Sequence, residues 1–165
     1  KSSMLEERKD KRETTMKLRP IETTDFPLIV KKYVDVFAAE PWNETHDPTH
    51  INEYIQNIYA MNTFIGFIAH DDHSNDFIGV ALGFIKPWYQ GTEYILDTFF
   101  IDNTKQHSGL GTIFLKHIKQ ELHIRSISAI MLDTDRSTPA ENFYTKNGFE
   151  ALEESVLMVS STTDV

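Results

Sequence analysis

The 165-residue chain contains no cysteine. That excludes a disulfide framework, a thiolate zinc site and a thiol nucleophile, and it is compatible with a reducing compartment. Glycine and proline are sparse, at seven and six residues, too few for a collagenous or low-complexity chain. No apolar run approaches the ~18 residues a bilayer requires, so no membrane-spanning helix is expected. Basic residues are outnumbered, 16 Lys and Arg against 25 Asp and Glu, for a formal net charge of -9. Five basic and four acidic residues lie in the first fifteen positions, which leaves the remainder at -10. Such a body repels phosphate backbones, and no basic stripe interleaves with aromatics, so nucleic acid is not an expected partner. Cationic small molecules such as amines are attracted to it, although the same acidity also serves plain solubility. The metalloprotease pattern HExxH and the hydrolase pattern GxSxG are missing too, so no metal is expected.

What remains is 40% hydrophobic, enough for one soluble domain that buries roughly two-thirds of its unfolded surface. A cytoplasmic location is expected. Residues 1–15 are polar, carry no apolar leader core, and read as an extension or remnant ahead of a domain over 16–165. Met16–Pro20 reads as a first strand. Thr24 and Asp25 offer caps and Pro27 a first turn for a helix carrying Leu28, Ile29, Val34 and Phe37. Asp47-Pro48 opens a second helix through Ile51, Tyr54, Ile55 and Ile58. Thr63–His70 and Phe77–Lys86 read as an antiparallel hairpin, and Tyr94–Ile101 as the most apolar strand. Leu110, Ile113, Phe114, His117, Ile118 and Leu122 fall at helical spacing. Ile127–Leu132 reads as a strand, Thr138–Lys146 as a short helix and Ala151–Ser160 as a final strand. This order mixes a meander with one crossover, an α+β fold with a mixed sheet.

The chemistry is concentrated in Ile101-Asp102-Asn103-Thr104-Lys105-Gln106-His107-Ser108-Gly109-Leu110-Gly111-Thr112. A strand ends, a turn follows, and two glycines sit where a helix begins. Helix-opening amides lack intrahelical partners and carry the positive end of the helix dipole, so they can hold a diphosphate without lysine. A tight strand-to-helix packing turn has the same spelling. The nucleotide P-loop and the dinucleotide fingerprint do not fit.

Gln-x-x-Gly-x-Gly after an apolar strand resembles the acyl-CoA motif of the GCN5-related N-acetyltransferases, the GNAT superfamily. Ala140-Glu141-Asn142-Phe143-Tyr144-Thr145-Lys146-Asn147-Gly148-Phe149 is similar to the family's C-terminal A-x-x-x-Y-x-K-x-G-F signature. The resemblance spans roughly Met16 to Ser160. It implies a central, mostly antiparallel sheet splayed between its fourth and fifth strands, flanked by about four helices, with acetyl-CoA as cosubstrate. It also implies Phe99, Phe100 and Ile101 beside the pantetheine arm, and the amides of Gln106, His107, Ser108, Gly109, Leu110, Gly111 and Thr112 around the pyrophosphate. His107 stands where many members have glycine. Ser137 stands where the family often has an asparagine that contacts the cofactor, and Asn142 is a nearby substitute. Tyr144 matches the position whose hydroxyl lies near the sulfur and is the candidate acid; a half-buried helix aromatic would look the same.

The implied reaction is direct attack of a primary amine on the thioester in a ternary complex. An amine near pKa ~10 is mostly cationic at neutral pH and needs a base. Asp97 interrupts the apolar strand, where full burial would be costly, and is the candidate base; a sheet-edge carboxylate paired with solvent or lysine is the alternative. Strand alternation predicts Asp97, Phe99 and Ile101 on one face and Leu96, Thr98 and Phe100 on the other. The Phe99 amide is a candidate donor to the developing oxyanion. Asp97 also falls where some aminoglycoside 6'-N-acetyltransferases carry their catalytic aspartate. Glu40, Trp42 and Glu44 occupy a loop that walls the acceptor site in the family, where Trp42 could equally be a packing anchor. The expected acceptor is a polycationic small molecule, aminoglycoside-like or otherwise. A protein N-terminus or lysine is the enzymatic alternative, and a CoA-binding sensor without turnover the non-catalytic one. A homodimer is common in the family.

Overall fold

The computed structural model describes residues 15–163. The reading of the leading segment as an extension therefore lies outside the described residues, except for Thr15. Two compact units divide between Asp133 and Thr134.

The first unit is built on a five-stranded sheet in the order β1-β2-β3-β4-β5. The strands are β1 (Met16–Pro20), β2 (Phe64–Asp71), β3 (Phe77–Trp88), β4 (Gly91–Ile101) and β5 (Ala129–Met131). The first four pair antiparallel and β5 joins β4 in parallel. Three helices cover the sheet, α1 (Phe26–Ala38), α2 (Pro48–Tyr59) and α3 (Leu110–Ile124). No helix among the described residues is long and apolar enough to cross a membrane.

The helix starts follow from local chemistry. Asp25 accepts from the Glu22 N–H at 2.8 Å and is clamped by both Arg19 nitrogens at 2.7 and 2.8 Å, which orients the chain into α1. The Arg19 guanidinium holds the Asp25 carboxyl below the usual carboxylate range, against the opposing effect of burial. Asp47 caps α2 by accepting from the Thr49 N–H at 2.9 Å, with Pro48 in the first turn, where its missing donor costs nothing.

Layering follows from apolar spacing. Ile51, Ile55 and Ile58 on α2 and Ile29 and Val36 on α1 are buried against Ile68, Val80, Leu82 and Phe100 of the sheet. On the opposite face Phe114 of α3 packs on Phe99 at 5.2 Å between ring centroids. The adjacent residues Phe99 and Phe100 thus serve different layers, as a pleated strand requires.

Two features of β4 shape everything downstream. Its ladder with β5 covers only Glu93–Ile95, after which β4 runs on to Ile101 without β5 beside it. The sheet therefore opens, as the family resemblance implies. Just past that parting, Leu82 of β3 faces Thr98 while Gly83 faces Leu96, which leaves Asp97 as the extra residue of a β-bulge. Bulges bend and twist a strand locally. Gly83 is required there, because a Cβ would overlap the Ile95 carbonyl oxygen.

The second unit begins with α4 (Pro139–Lys146). Beyond it the expected strand over Ala151–Ser160 is not formed: those residues belong to no helix or strand. The segment has strand-forming composition, but a strand is a paired structure, and local preference without a ladder leaves it irregular.

Candidate functional site

The turn between β4 and α3 is fixed by its own side chains. Gln106 donates Nε2 to the Ile101 carbonyl at 3.0 Å, and Ser108 donates Oγ to the Lys105 carbonyl at 2.6 Å. Asp102 is buried beneath the turn. Burial works against its charge, yet hydrogen bonds from Lys32 Nζ (2.7 Å) and Thr104 Oγ1 hold its carboxyl below the ordinary range. Gly109 then adopts φ 80 at the helix N-cap, a left-handed conformation natural to glycine. No side chain caps α3 and no acid stands in its first turn. Open space lies where a Cβ of Gly109 would point. An exposed, uncapped helix start with left-handed glycine fits a diphosphate, and Gln106 holds the strand end with its side chain while its neighbours offer backbone.

On the α1/α2 face, a cleft of about 430 Å³ lies between α2 and the sheet. His50, Glu53, Tyr54, Asn57, Ile58 and Met61 line it at one-face helical spacing, opposite Phe84 of β3 and Asp97 of β4. Tyr54 Oη is hydrogen-bonded to Asp97 Oδ2 and lies 2.8 Å from Thr98 Oγ1. Burial, and then the neighbouring Asp97 carboxylate, push the Tyr54 phenol well above its ordinary range. Tyr54 is therefore protonated, gives its one proton to Asp97, and receives from the Thr98 hydroxyl. With Glu53 the cleft carries two carboxylates and no basic side chain other than His50.

In the second unit, Thr138 caps α4 by accepting from the Glu141 N–H at 3.3 Å, and the Glu141 carboxylate accepts from the Ser137 N–H at 2.9 Å. Tyr144 stacks edge-on with Phe149 at 5.3 Å, and the Phe149 N–H returns to the Tyr144 carbonyl at 3.0 Å across Gly148, φ 86. Burial pushes the Tyr144 phenol up to about 12, so it is a proton donor throughout the neutral range.

The family model for the acetyltransferase (GNAT) family matches residues 17–149. The chain belongs to the GNAT family. Its fold is shared with an aminoglycoside acetyltransferase from an uncultured soil metagenomic sample, solved in complex with sisomicin: 16% identity, TM-score 0.65, covering 88% of this chain and 95% of that one. A probable acetyltransferase aligns at 13% identity and TM-score 0.73, over 88% and 98% of the two chains. A predicted acetyltransferase with acetyl-CoA from Clostridium acetobutylicum aligns at 22% identity and TM-score 0.63, over 88% and 96%. No curated protein matches the chain.

Within this GNAT fold one sequence-based placement changes. The bulge turns Asp97 to the same face as Thr98, toward α2, so it does not share a face with Phe99 and Ile101. Plain alternation fails because one extra residue shifts the phase. Asp97 is exposed, and the buried acid of β4 is Glu93, whose Oε1 lies 3.3 Å from Lys86 Nζ. Phe99, Phe100 and Ile101 do follow one another into the turn, with Phe100 edge-on to Tyr33 at 6.0 Å. Ser137 and Asn142 are exposed on and before α4. Glu40, Trp42 and Glu44 are outside the cleft's lining. Trp42 packs on Phe37 at 5.3 Å, and Glu44 binds His46 Nε2 at 2.7 Å, as a loop anchor would. No group of three His, Asp or Glu that could hold a metal comes together among the described residues. Sequence reasoning missed His50, Glu53, Tyr54 and Asn57 as a lining set. The available signal was their i, i+3, i+4, i+7 spacing along the polar edge of α2.

Proposed function

We propose that this GNAT protein transfers an acetyl group from acetyl-CoA to a primary amine of a small polycationic molecule. The observation that carries the reading is Asp97, hydrogen-bonded by Tyr54 in an acidic cleft, at the point where β4 and β5 part. The uncapped start of α3 supports a cofactor diphosphate at Gln106–Thr112. Bound acetyl-CoA supplies the activated acyl carbon and a thiolate leaving group whose thiol is acidic enough to depart readily.

The chain's residues do the rest. Glu53 and Asp97 attract the ammonium form of the acceptor. Freeing a lone pair at pH 7 from an amine near pKa ~10 costs about 4 kcal/mol, which a carboxylate offsets by accepting the proton. Asp97 takes that proton directly or through one water, and Tyr54 keeps the carboxylate turned toward the cleft. The freed nitrogen would bond to the acyl carbon and shed its second proton to water as the neutral amide forms and the carbon–sulfur bond breaks; Tyr144 is the candidate donor to the departing sulfur and would regain its proton from solvent. The metagenomic neighbour solved with sisomicin is consistent with an aminoglycoside-like acceptor.

Thiol release from acetyl-CoA across a panel of polyamines, aminoglycosides and peptides tests the reading. Saturable turnover with a polyamine or aminoglycoside is expected, and Asp97→Asn should lose about 10²–10⁴-fold in kcat/KM. Turnover confined to peptides would move the acceptor to a protein amine. Full kcat/KM in Asp97→Asn across pH 6–9 would remove Asp97 from the mechanism.

A further inference from the structure

A second cleft, of about 350 Å³, lies at the corner where β1, β2 and the ends of α2 and α3 come together. Its origin is local. Pro20 closes the β1 ladder opposite Phe67, and proline has no N–H with which to extend it. The chain then leaves through Ile21 toward α1. Residues 64–66 of β2 lie beyond that last pair and have no strand on that side among the described residues. The rings of Tyr59, Phe64 and Phe67 and the side chains of Ile21 and Ile65 line the space. Arg125 is the one charged residue among those that line it.

Arg125 stands at the C-terminal end of α3, with its guanidinium over the Phe67 ring, 5.5 Å from the centroid. Stacking uses the flat face of the guanidinium and leaves the N–H fork at its rim. Glu121 lies 3.9 Å away, too far for a hydrogen bond, and both side chains are more than two-fifths exposed. Such a pair is worth little and yields readily to a better-placed anion. A planar cation steadied on an aromatic floor, with its fork unspent, suits a carboxylate, which it can bind through two parallel hydrogen bonds. A chain of net charge -9 does not draw anions in general. The anion that settles here must therefore carry an apolar body matched to the lining.

We propose that this cleft binds an aryl carboxylate, with its ring among Tyr59, Phe64 and Phe67 and its carboxylate on Arg125. Three aromatic side chains favour a ring over an alkyl chain, because ring pairs gain beyond the area they bury. The volume is that of a small-molecule site, apolar with one polar group to fix orientation. Met61 lines both this cleft and the one that holds Asp97, so a ligand here touches a wall that the two share. The proposal is independent of the acetyl-transfer reading, since it requires neither cofactor nor acceptor.

The test titrates the full chain with phenylacetate, and with neutral phenylacetamide as the control, while NMR follows the isoleucine methyls. Saturable binding is expected, with Kd on the order of 0.1–1 mM for a ligand this small, and with shifts at Ile21 and Ile65. Replacing the carboxylate by the amide, or Arg125 by Gln, should each weaken binding at least about tenfold, since a hydrogen bond between charged groups is lost. Position 125 is exposed, so Arg125→Gln should keep the parent melting temperature. Equal affinity for the amide, undiminished affinity in Arg125→Gln, or shifts that spare Ile21 and Ile65 would overturn the proposal. So would the absence of saturable binding. A doubled mass on a sizing column together with no phenylacetate binding would give the cleft to a second copy, and would overturn it likewise.

Discussion

Replacing Tyr54 by Phe removes a single oxygen and separates two roles that the fold combines. Tyr54 Oη bonds Asp97 and accepts from the buried Thr98 hydroxyl. Losing it strands the Thr98 hydroxyl in a buried site, which costs about 1–3 kcal/mol and lowers Tm by about 2–12 °C for a chain of this size. It also frees the Asp97 carboxylate to rotate and withdraws a donor from its charged form. Misplacing a reacting group by an ångström can cost about 10²-fold, so kcat/KM should fall by about 10–100-fold. The decisive comparison adds Thr98→Val. With both polar partners gone, stability should return to near the parent value, since paired removal leaves nothing unsatisfied, while activity should stay low. Thermal melts and thiol-release kinetics over pH 5–9 read both quantities. Recovery of activity along with stability would refute a positioning role for Tyr54.

Two other outcomes follow from the same structure. Gly109→Ala places a Cβ in open space but at φ 80, so it should cost about 1 kcal/mol of local strain, raising KM for acetyl-CoA several-fold while kcat with saturating cofactor changes little. Asp25 has its folded-state carboxyl depressed by Arg19, so its stabilisation is complete above the unfolded value near pH 4 and drains away as pH falls through the lower folded value; urea melts should show Asp25→Asn less stable at pH 7 and less sensitive to acid between pH 4 and 2.

Legibility in the sequence tracked how local each determinant is. Asp47-Pro48 announced α2 within a residue, because a cap and a proline act on the first turn alone. The four meander strands and α3 were visible in apolar spacing, and two glycine-bearing signatures identified the family. Asp97 stands out in the sequence as an acid in an apolar strand, yet its face was misread, since a bulge depends on the partner strand and leaves no mark in the strand that contains it. Tyr54 was taken as one more apolar residue of α2, although its hydroxyl meets groups 43 and 44 positions away. Glu93 went unnoticed because its burial is set by neighbours remote in sequence. The tail at 151–160 reads as a strand by composition, while pairing is a property of whatever lies beside it.

The bulge has one more implication. Every other residue from Tyr94 to Ile101 is at least half-buried, committed by the pleat to one layer or the other. Position 97 alone stands outside that interlock, exposed at the kink. Its identity can change without refilling either side of the sheet. On the reaction proposed above, the reacting group sits where the Tyr54 hydroxyl is its bonded partner and no apolar layer has to be refilled, so acceptor preference can be re-tuned there while the framework stays as it is.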